Sequence, residues 1–406
     1  MQIRIPLFLF IFSEELSRSF LPLFVARLSP ESTLVSDELL IGLPITLFML
    51  MIAVVTPIGG GLTDRFGARR VFLGGIVFAV VSYAGTFFVQ GYYDLLFWRT
   101  LGGLGYGLIY IAAQVWVTEN SATENRAQGM AVFSGAIFVG AICGPPIGSI
   151  IAGRIGFEAT FLISAMMSVI AGLIIYQVLN EGGKKQAGTR TVLSMRDWRV
   201  LLADTRFLAV TLFAALPMKM VLTGFLYYIV PLYLNDLGNS QTAIGWVMMA
   251  YGVATVGCTT IAARYADRSK RYSAMVLVGG ALAGIGCVVA LFQDAVGGGA
   301  VVAVVIAVVA FGLGHAVAIT SQLTIAQKVA DSYADTMGRA SVVSAFRLVE
   351  RGGFVLGPLV AGALVTGFGY QGAMVGIGLA ILAAVSVYVL ITGVSEVTHE
   401  LRGATA

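Results

Sequence analysis

The chain has 406 residues, of which 58% are hydrophobic and only 11% are charged, and its mean hydropathy is +0.90. Soluble domains carry roughly a quarter charged residues, so the composition excludes that class and predicts an integral membrane protein. The net charge of +4 gives no indication of a nucleic-acid ligand. Continuous apolar runs of about 20 residues match helices that cross a hydrocarbon core of about 30 Å, and they exclude the alternating pattern of a β-barrel.

Twelve such runs follow one another, and we predict one membrane helix for each. The predicted spans are 5–25, 39–59, 71–90, 94–117, 127–152, 157–179, 207–235, 242–263, 273–293, 298–325, 338–365 and 371–393. The first run carries Glu14, Glu15 and Arg18 in its middle, which is unlike a cleaved signal peptide.

A polar, basic gap separates the first six spans from the last six. Trp198 and Leu201 predict an amphipathic helix within it, lying on the membrane surface. We therefore predict an N-terminal six-helix bundle at 1–180, a cytoplasmic linker at 181–206, and a C-terminal six-helix bundle with a short cytoplasmic tail at 207–406.

The distribution of Lys and Arg between the loops predicts the orientation. Basic residues concentrate in the loops on one side, which include the central gap and the end of the chain. We therefore predict a multi-pass protein of a bacterial inner membrane with both termini in the cytoplasm.

A charged loop, GGLTDRFGARR at residues 60–70, connects the second and third runs. Glycine allows the close backbone approach and the positive φ that a very short turn between two helices demands, so we expect the turn to use Gly60, Gly61 and Gly67. We also expect Asp64 to accept hydrogen bonds at the start of the next helix. The loop closely resembles the signature loop between the second and third helices of the major facilitator superfamily. The resemblance implies a gating role for its glycines and charges: Gly60, Asp64, Arg65, Gly67 and Arg69.

Short motifs of the first half return in the second half. Pro22 returns as Pro231 (231 − 22 = 209), Asp64-Arg65 as Asp267-Arg268 (267 − 64 = 203), Gly103-Leu104-Gly105 as Gly312-Leu313-Gly314 (312 − 103 = 209), and Gly144-Pro145 as Gly357-Pro358 (357 − 144 = 213). Four matches in the same order, at nearly one offset, indicate two duplicated halves.

The fourth span contains Arg99 followed by small residues, Gly102-Gly103-x-Gly105-x-Gly107. Small residues let a neighbouring helix approach closely. The pattern resembles the superfamily's fourth-helix motif, whose arginine is associated with proton coupling. The alternative is an arginine that reaches the outer interface with its long side chain.

The fifth span contains Gly140-x-x-x-Gly144-Pro145-Pro146-x-Gly148. Proline bends the helix, and the glycines on one side let it pivot against a partner. The pattern resembles the antiporter motif of the superfamily's drug/proton antiporter branch, although Ser149 replaces its final glycine and Pro146 is an additional bend. A generic kinked packing helix is the alternative.

Ionisable residues inside membrane spans are costly and therefore informative. Arg18 lies four residues from Glu14, and Arg347 lies three residues from Glu350, so each pair shares one helical face. In the superfamily architecture such charges converge on one midplane site. The alternative is that both pairs are static and fix the helix registry.

Lys219 has no acid within one helical turn and lies between two methionines, with Tyr227 further along the same span. This pattern suits an anionic, partly apolar ligand or a carboxylate from another helix. His315 could shuttle protons, and a neutral packing histidine is the slightly favoured alternative. Five bases face three acids inside the spans, a predicted excess of positive charge. The predicted substrate-binding residues are Arg18, Lys219, Tyr227, His315, Arg347 and Arg351.

We predict that Glu15 carries the coupling proton, with Glu350 as its counterpart in the second half. Glu14 has Arg18 on its own face, which favours its ionised form. Glu15 is turned about 100° away and lies beside another carboxylate, which disfavours double ionisation. Arg18 and Arg99 would be the cations whose pairing changes between states, and Gly144 and Pro145 would belong to the gating elements.

The resemblance extends over essentially the whole chain and implies the all-α major facilitator fold with alternating access. Its motifs are closest to the twelve-helix drug/proton antiporter type, so we predict a proton-coupled exporter of a small amphipathic organic compound. The alternatives are an importer or exchanger of an organic anion with a basic central cavity, and a membrane receptor that does not transport.

No ATP-binding glycine-rich loop, nucleophilic triad or metal-ligand cluster is visible in the sequence. Cys143, Cys258 and Cys287 lie in apolar runs without paired spacing. We therefore predict no enzymatic activity, no cofactor and no metal. The expected partners are a small-molecule substrate, protons and the lipid bilayer, with no nucleic acid, and the expected state is a monomer.

Overall fold

A computed structural model of the chain describes residues 3–28, 35–121, 126–178, 194–293 and 299–393, and within these ranges every regular element is helical. The α-helices are α1 (Arg4–Glu15), α2 (Leu21–Leu28), α3 (Asp37–Phe66), α4 (Ala68–Phe87), α5 (Tyr92–Glu119), α6 (Arg126–Ile155), α7 (Phe157–Val178), α8 (Met195–Ala203), α9 (Thr205–Leu208), α10 (Leu216–Val221), α11 (Val230–Asp236), α12 (Gln241–Ser269), α13 (Tyr272–Val288), α14 (Gly299–Ser332) and α15 (Arg339–Thr392). Two π-helical segments, Ala209–Ala215 and Leu222–Ile229, flank α10, and the 3₁₀ segment Val289–Phe292 follows α13.

The predicted all-α membrane fold is confirmed. Ten helices of the described ranges are long and apolar enough to cross a membrane. The first predicted span is not among them because residues 16–20 interrupt it between α1 and α2. The last two predicted spans are continuous in α15, where Gly369 forms a break at φ 66° and ψ 179°. These two differences account for ten long helices where the sequence predicted twelve spans.

The chain divides into two compact units. The first comprises Met1–Gly188 and Pro231–Met249, and the second comprises Thr189–Val230 and Ala250–Ala406. The predicted boundaries at the linker 181–206 stay a prediction. The start of that linker and the C-terminal tail lie outside the described residues.

The predicted amphipathic helix of the linker is α8, which belongs to the second unit. Ser194 and Asp197 form a capping box at its start, which satisfies two backbone donors of the first turn. Leu201 is fully buried, and Trp198 packs against the same apolar cluster, which also contains Phe207. The apolar face of α8 is therefore covered by the protein.

Closely packed glycine pairs join the same helices in each unit. A Cβ on Gly105 of α5 would lie 2.7 Å from the carbonyl oxygen of Gly75 on α4, and a Cβ on Gly279 of α13 would lie 2.5 Å from that of Gly314 on α14. Real Cβ atoms do not approach oxygen so closely, so neither contact admits a side chain. The two pairs are related by the offsets of the repeat, 314 − 105 = 209 and 279 − 75 = 204.

A second matched contact lies beside each pair. A Cβ on Gly103 would lie 2.5 Å from the carbonyl oxygen of Phe48, and a Cβ on Gly312 would lie 2.9 Å from that of Tyr251. Phe48 and Tyr251 differ by 251 − 48 = 203, the offset that also relates the two Asp-Arg dipeptides. The predicted duplication thus extends to backbone contacts.

Candidate functional site

The first span is broken in its middle, where the chain reads FSEELSRSF. Helix α1 ends at Glu15, and the backbone N–H and side-chain hydroxyl of Ser17 both donate to the carbonyl oxygen of Glu14, at 3.3 and 3.1 Å. Serine hydroxyls compete for backbone groups in this way and thereby weaken helices. The break leaves two carboxylates at the end of a buried helix.

The glycine- and proline-rich part of α6 packs against this break. A Cβ on Gly144 would contact the Cβ of Glu15, and one on Gly148 would contact the carbonyl oxygen of Leu16, both closer than any real contact. The hydroxyl of Ser19 donates to the carbonyl oxygen of Pro145 at 3.0 Å. The motif that resembles the antiporter signature therefore accommodates the broken stretch of the first span.

The N-terminal charge cluster consists of Glu14, Glu15, Arg18 and Arg99, all at least 95% buried. Both carboxylate oxygens of Glu14 are bonded: Oε1 accepts from Nη2 of Arg99 at 3.0 Å, and Oε2 accepts from the hydroxyl of Tyr83 at 2.6 Å. Glu14 is thus held by α4 and α5, and Arg99 turns inward. The alternative of an arginine at the outer interface is wrong.

Arg18 lies nearer to Glu15 than to Glu14. Its Nε is 3.3 Å from Oε2 of Glu15, whereas its Nη2 is 4.0 Å from Oε1 of Glu14. The predicted Glu14–Arg18 pair is therefore present only as a long contact, because the helical repeat stops at Glu15. The ring of Phe48 lies beneath both guanidinium groups, 4.4 Å from Cζ of Arg99 and 5.4 Å from that of Arg18.

The C-terminal charge cluster consists of Lys219, His315, Arg347 and Glu350 and lies wholly in the second unit. Nζ of Lys219 is 3.3 Å from Oε1 of Glu350 and 3.2 Å from Nε2 of His315. Arg347 donates to Oε2 of Glu350 at 2.8 Å, which confirms that predicted pair. Nδ1 of His315 is 2.7 Å from the hydroxyl of Tyr251.

Lys219 therefore pairs with a carboxylate from another helix, which is one of the two partners that its sequence context predicted. The lysine lies in α10, a short piece of α-helix between the two π-helical segments. π-Helical turns are rare in proteins as a whole, but those that occur are frequently found at functional sites. Nothing in the sequence indicated them.

The buried charges of the described residues are balanced. The buried acids are Glu14, Glu15 and Glu350, and the buried bases are Arg18, Arg99 and Lys219. The predicted excess of positive charge is wrong for the interior, because the side chain of Arg347 is 46% exposed and that of Arg351 is half-buried. Tyr227, also half-buried, lies on the π-helical segment that follows Lys219. The predicted convergence of both clusters on one midplane site stays a prediction.

The signature loop is shorter than the sequence indicated. Helix α3 continues to Phe66, and Gly67 alone separates it from α4, with the expected positive φ of 86°. The same expectation is wrong for Gly60 and Gly61, which are helical residues of α3. The prediction for Asp64 is wrong: it lies exposed in the last turn of α3, and the N-cap of α4 is Gly67, which provides no side-chain bond.

The other loop positions lie on the flanking helices. Nη2 of Arg69 donates to the carbonyl oxygen of Tyr176 at 2.6 Å, which joins the start of α4 to the end of α7. Gly60 is buried in α3, and the guanidinium of Arg65 lies over the ring of Phe66.

Comparisons with known proteins agree with the resemblance. A family model described as Major Facilitator Superfamily matches residues 7–346. The chain is 22% identical over 269 residues to the multi-drug resistance efflux pump PmrA of Streptococcus pneumoniae, a match that covers 64% of each chain. It is 26% identical over 322 residues to the vesicular acetylcholine transporter of Drosophila melanogaster, covering 78% of this chain and 54% of the relative. The matches to these and two further curated relatives span between 34% and 64% of the relatives' lengths.

A solved structure supports the same fold. The bacterial homologue of the human lysosomal transporter Spinster has a TM-score of 0.75 and 15% sequence identity, with 97% of each chain covered. At this level of identity the similarity shows the fold alone.

Proposed function

The chain belongs to the Major Facilitator Superfamily and is a multi-pass membrane protein, and from this premise we propose that it is a transporter that exports a small amphipathic organic compound in exchange for protons. Transport would proceed by alternating access. The relative PmrA is described as a multi-drug efflux pump, which supports export over uptake.

The unequal surroundings of Glu14 and Glu15 are the observation that carries the proposal. Glu14 has a hydrogen bond on each carboxylate oxygen. Glu15 is equally buried, and its Oε2 has the ion pair with Arg18 but no hydrogen bond within the described residues. Two adjacent carboxylates in a low-dielectric interior do not both ionise readily. We propose that Glu15 is the group that takes up and releases the proton, and that Arg18 and Arg99 change partners as it does so.

Glu15→Gln in proteoliposomes tests this assignment. We expect exchange of an amphipathic dye across the membrane to persist, while accumulation driven by a proton gradient is lost, because the amide cannot carry a proton. Glu158→Gln is the matched control, since Glu158 is exposed at the start of α7 and should leave both activities unchanged. Accumulation that persists in Glu15→Gln but is lost in Glu14→Gln, with dye exchange intact in both variants, would show that the two roles are reversed.

Uptake or exchange of an organic anion is the second candidate, and the C-terminal charge cluster favours it. Lys219 and Arg347 both contact the single carboxylate of Glu350, so one acid faces two cations. Proton movement with the substrate, instead of against it, distinguishes this candidate from export by exchange.

A further inference from the structure

The ammonium group of Lys219 can donate more hydrogen bonds than it makes to the described residues. An ammonium group has three hydrogens to donate, and its two acceptors here are Oε1 of Glu350 and Nε2 of His315. Among the described residues no third hydrogen-bond acceptor contacts Nζ of Lys219, and the next group near it is the ring of Phe354. A buried ammonium favours an additional anionic partner.

The histidine cannot replace the lysine as the cation of the cluster. With Lys219 donating to Nε2, the neutral ring carries its proton on Nδ1 and donates it to the hydroxyl of Tyr251, at 2.7 Å. A proton added to Nε2 would set two cations 3.2 Å apart, which repel strongly in a low-dielectric interior. The geometry therefore directs an added proton to Glu350.

Glu350 provides the carboxylate that pairs with Lys219, so a ligand carboxylate at Lys219 would compete with it. Of the charged groups, Lys219 from α10 and Arg347 from its own helix contact it directly, with Arg351 next in sequence, while His315 and Tyr251 are connected to it through Lys219. If a ligand carboxylate joined Lys219 while Glu350 stayed ionised, the total charge of the site would become more negative by one unit. If Glu350 takes up a proton at the same time, the charge of the site is unchanged.

We propose that the C-terminal charge cluster binds the carboxylate of an organic acid at Lys219 in place of Glu350, and that this exchange transfers one proton from solvent to Glu350. This inference rests on the second candidate of the proposed function and deepens it. The proton and the anion then enter together and leave together, so each binding event is electroneutral.

The surroundings of Lys219 indicate the rest of the ligand. The ring of Phe354 has its centroid 5.5 Å from Nζ of Lys219, and the rings of Tyr251, Phe311 and His315 stack on one another beside it. Planar apolar groups pack favourably on such rings. The ligand class is therefore a monocarboxylate with an aromatic or flat apolar body, which would enter past the half-exposed side chain of Arg347.

Isothermal titration calorimetry of the purified full-length protein with benzoate tests the proposal. Titrations in buffers with different ionisation enthalpies give the number of protons taken up per benzoate bound. We expect about one proton for the unchanged protein and an affinity that falls about tenfold for each pH unit above the apparent pKa of the linked group. Glu350→Gln, which mimics the protonated acid, should take up no proton, bind benzoate more tightly and lose the pH dependence.

Two further variants complete the test. Lys219→Gln should abolish benzoate binding, and Lys219→Arg should retain it. If Lys219→Gln fails to fold, the comparison of Glu350→Gln with the unchanged protein still tests the proposal. Asp331→Asn, a change from acid to amide in an exposed ion pair of the same unit, is the matched control and should behave as the unchanged protein.

The proposal is overturned if Glu350→Gln binds benzoate more weakly than the unchanged protein, if it retains the proton uptake, or if neither protein binds benzoate at millimolar concentration. The binding assay needs no transport. Benzoate binding with proton uptake in a protein that moves neither substrate nor protons in proteoliposomes would contradict the transport function alone.

Discussion

Nη2 of Arg99 lies 3.0 Å from Oε1 of Glu14, and this pair joins the fourth span to the end of helix α1. Both side chains are 1% exposed. The structure thereby gives the two adjacent carboxylates different partners: Glu14 is bonded by Arg99 and Tyr83, and Glu15 is left to Arg18.

Glu14→Gln should destabilise the protein strongly, because it leaves the guanidinium of Arg99 buried without a counter-charge. Breaking one partner of a buried ion pair costs about 3–5 kcal/mol. Tyr83→Phe removes only one hydrogen bond and should cost about 1–3 kcal/mol. Thermal unfolding in detergent compares the two, and the double variant Glu14→Gln/Arg99→Gln should regain part of the loss. Equal stability of Glu14→Gln and the unchanged protein would contradict the stabilising contribution of this pair.

Gly148→Ala should displace the broken stretch of the first span. Its Cβ would contact the carbonyl oxygen of Leu16, and relieving such a contact costs about 1–3 kcal/mol. Gly135→Ala on the same helix is the control, because a Cβ there has no heavy atom within 4 Å. We expect Gly135→Ala to be neutral or stabilising by up to about 1 kcal/mol. Transport and unfolding temperature should both fall only in Gly148→Ala, and similar values for the two variants would be evidence against close packing at the break.

Gly67→Ala should destabilise the junction between α3 and α4. At φ 86° and ψ 149° a residue with a Cβ is strained by about 1–3 kcal/mol. Gly61→Ala, six residues earlier in the same signature loop, meets nothing within 4 Å and should raise stability slightly, since alanine is the better helix former. Chemical unfolding in detergent measures both, and a tolerated alanine at 67 would mean that the junction adopts another backbone conformation.

Asp64→Asn tests the gating role that the resemblance implies. We expect it to weaken the outward-open state, so that single cysteines placed in the transport pathway react faster with reagents from the cytoplasmic side, while transport falls. Asp37→Asn, at the opposite end of α3, is the control for loss of one carboxylate from that helix. Unchanged labelling together with unchanged transport would remove Asp64 from the gating elements.

We expect the stabilising contacts of Asp204, which lies outside the membrane spans, to be sensitive to acid. Burial alone would raise the pKa of Asp204, but hydrogen bonds from Arg206, Tyr333 and the backbone N–H groups of Arg206 and Phe207 outweigh it and hold the pKa below its usual value. Because the folded-state pKa is lowered, the stabilisation is fully present above the unfolded value of about 3.9 and is lost as the pH falls through the folded value.

The free energy of unfolding should therefore decline less steeply in Asp204→Asn than in the unchanged protein when the pH falls below about 4. Tyr333→Phe, which removes the hydrogen bond of 2.9 Å, should show an intermediate slope. Denaturant titrations at a series of pH values measure this, and parallel curves for all three proteins would contradict the linkage.

Features governed by local chemistry were predictable from the sequence. The apolar runs indicated the spans, the glycines of the signature loop indicated a sharp junction, and the spacing of Arg347 and Glu350 indicated their pair. Each of these follows from the residue itself or from the helical repeat.

Features governed by contacts between helices were not predictable in the same way. The Glu14–Arg99 and Lys219–Glu350 pairs depend on which helices are neighbours, at separations of 99 − 14 = 85 and 350 − 219 = 131 residues. The break after Glu15 had a local signal, the serines at 13, 17 and 19, but a continuous apolar run outweighed it. A prediction based on an uninterrupted helical repeat therefore paired Arg18 with Glu14, whereas its nearer partner is Glu15.

The matched glycine contacts show that the two units share the same close helix packing, whereas a neighbouring ionisable side chain differs between them. Gly103 and Gly105 correspond to Gly312 and Gly314, and the atom nearest to an added Cβ at each of the four is a carbonyl oxygen of a neighbouring helix. One residue further along, at the same offset (315 − 106 = 209), Tyr106 corresponds to His315. A phenol and an imidazole thus occupy the same place on one scaffold. Different ionisable side chains can therefore occupy equivalent positions in the two halves without a change in the helix packing around them.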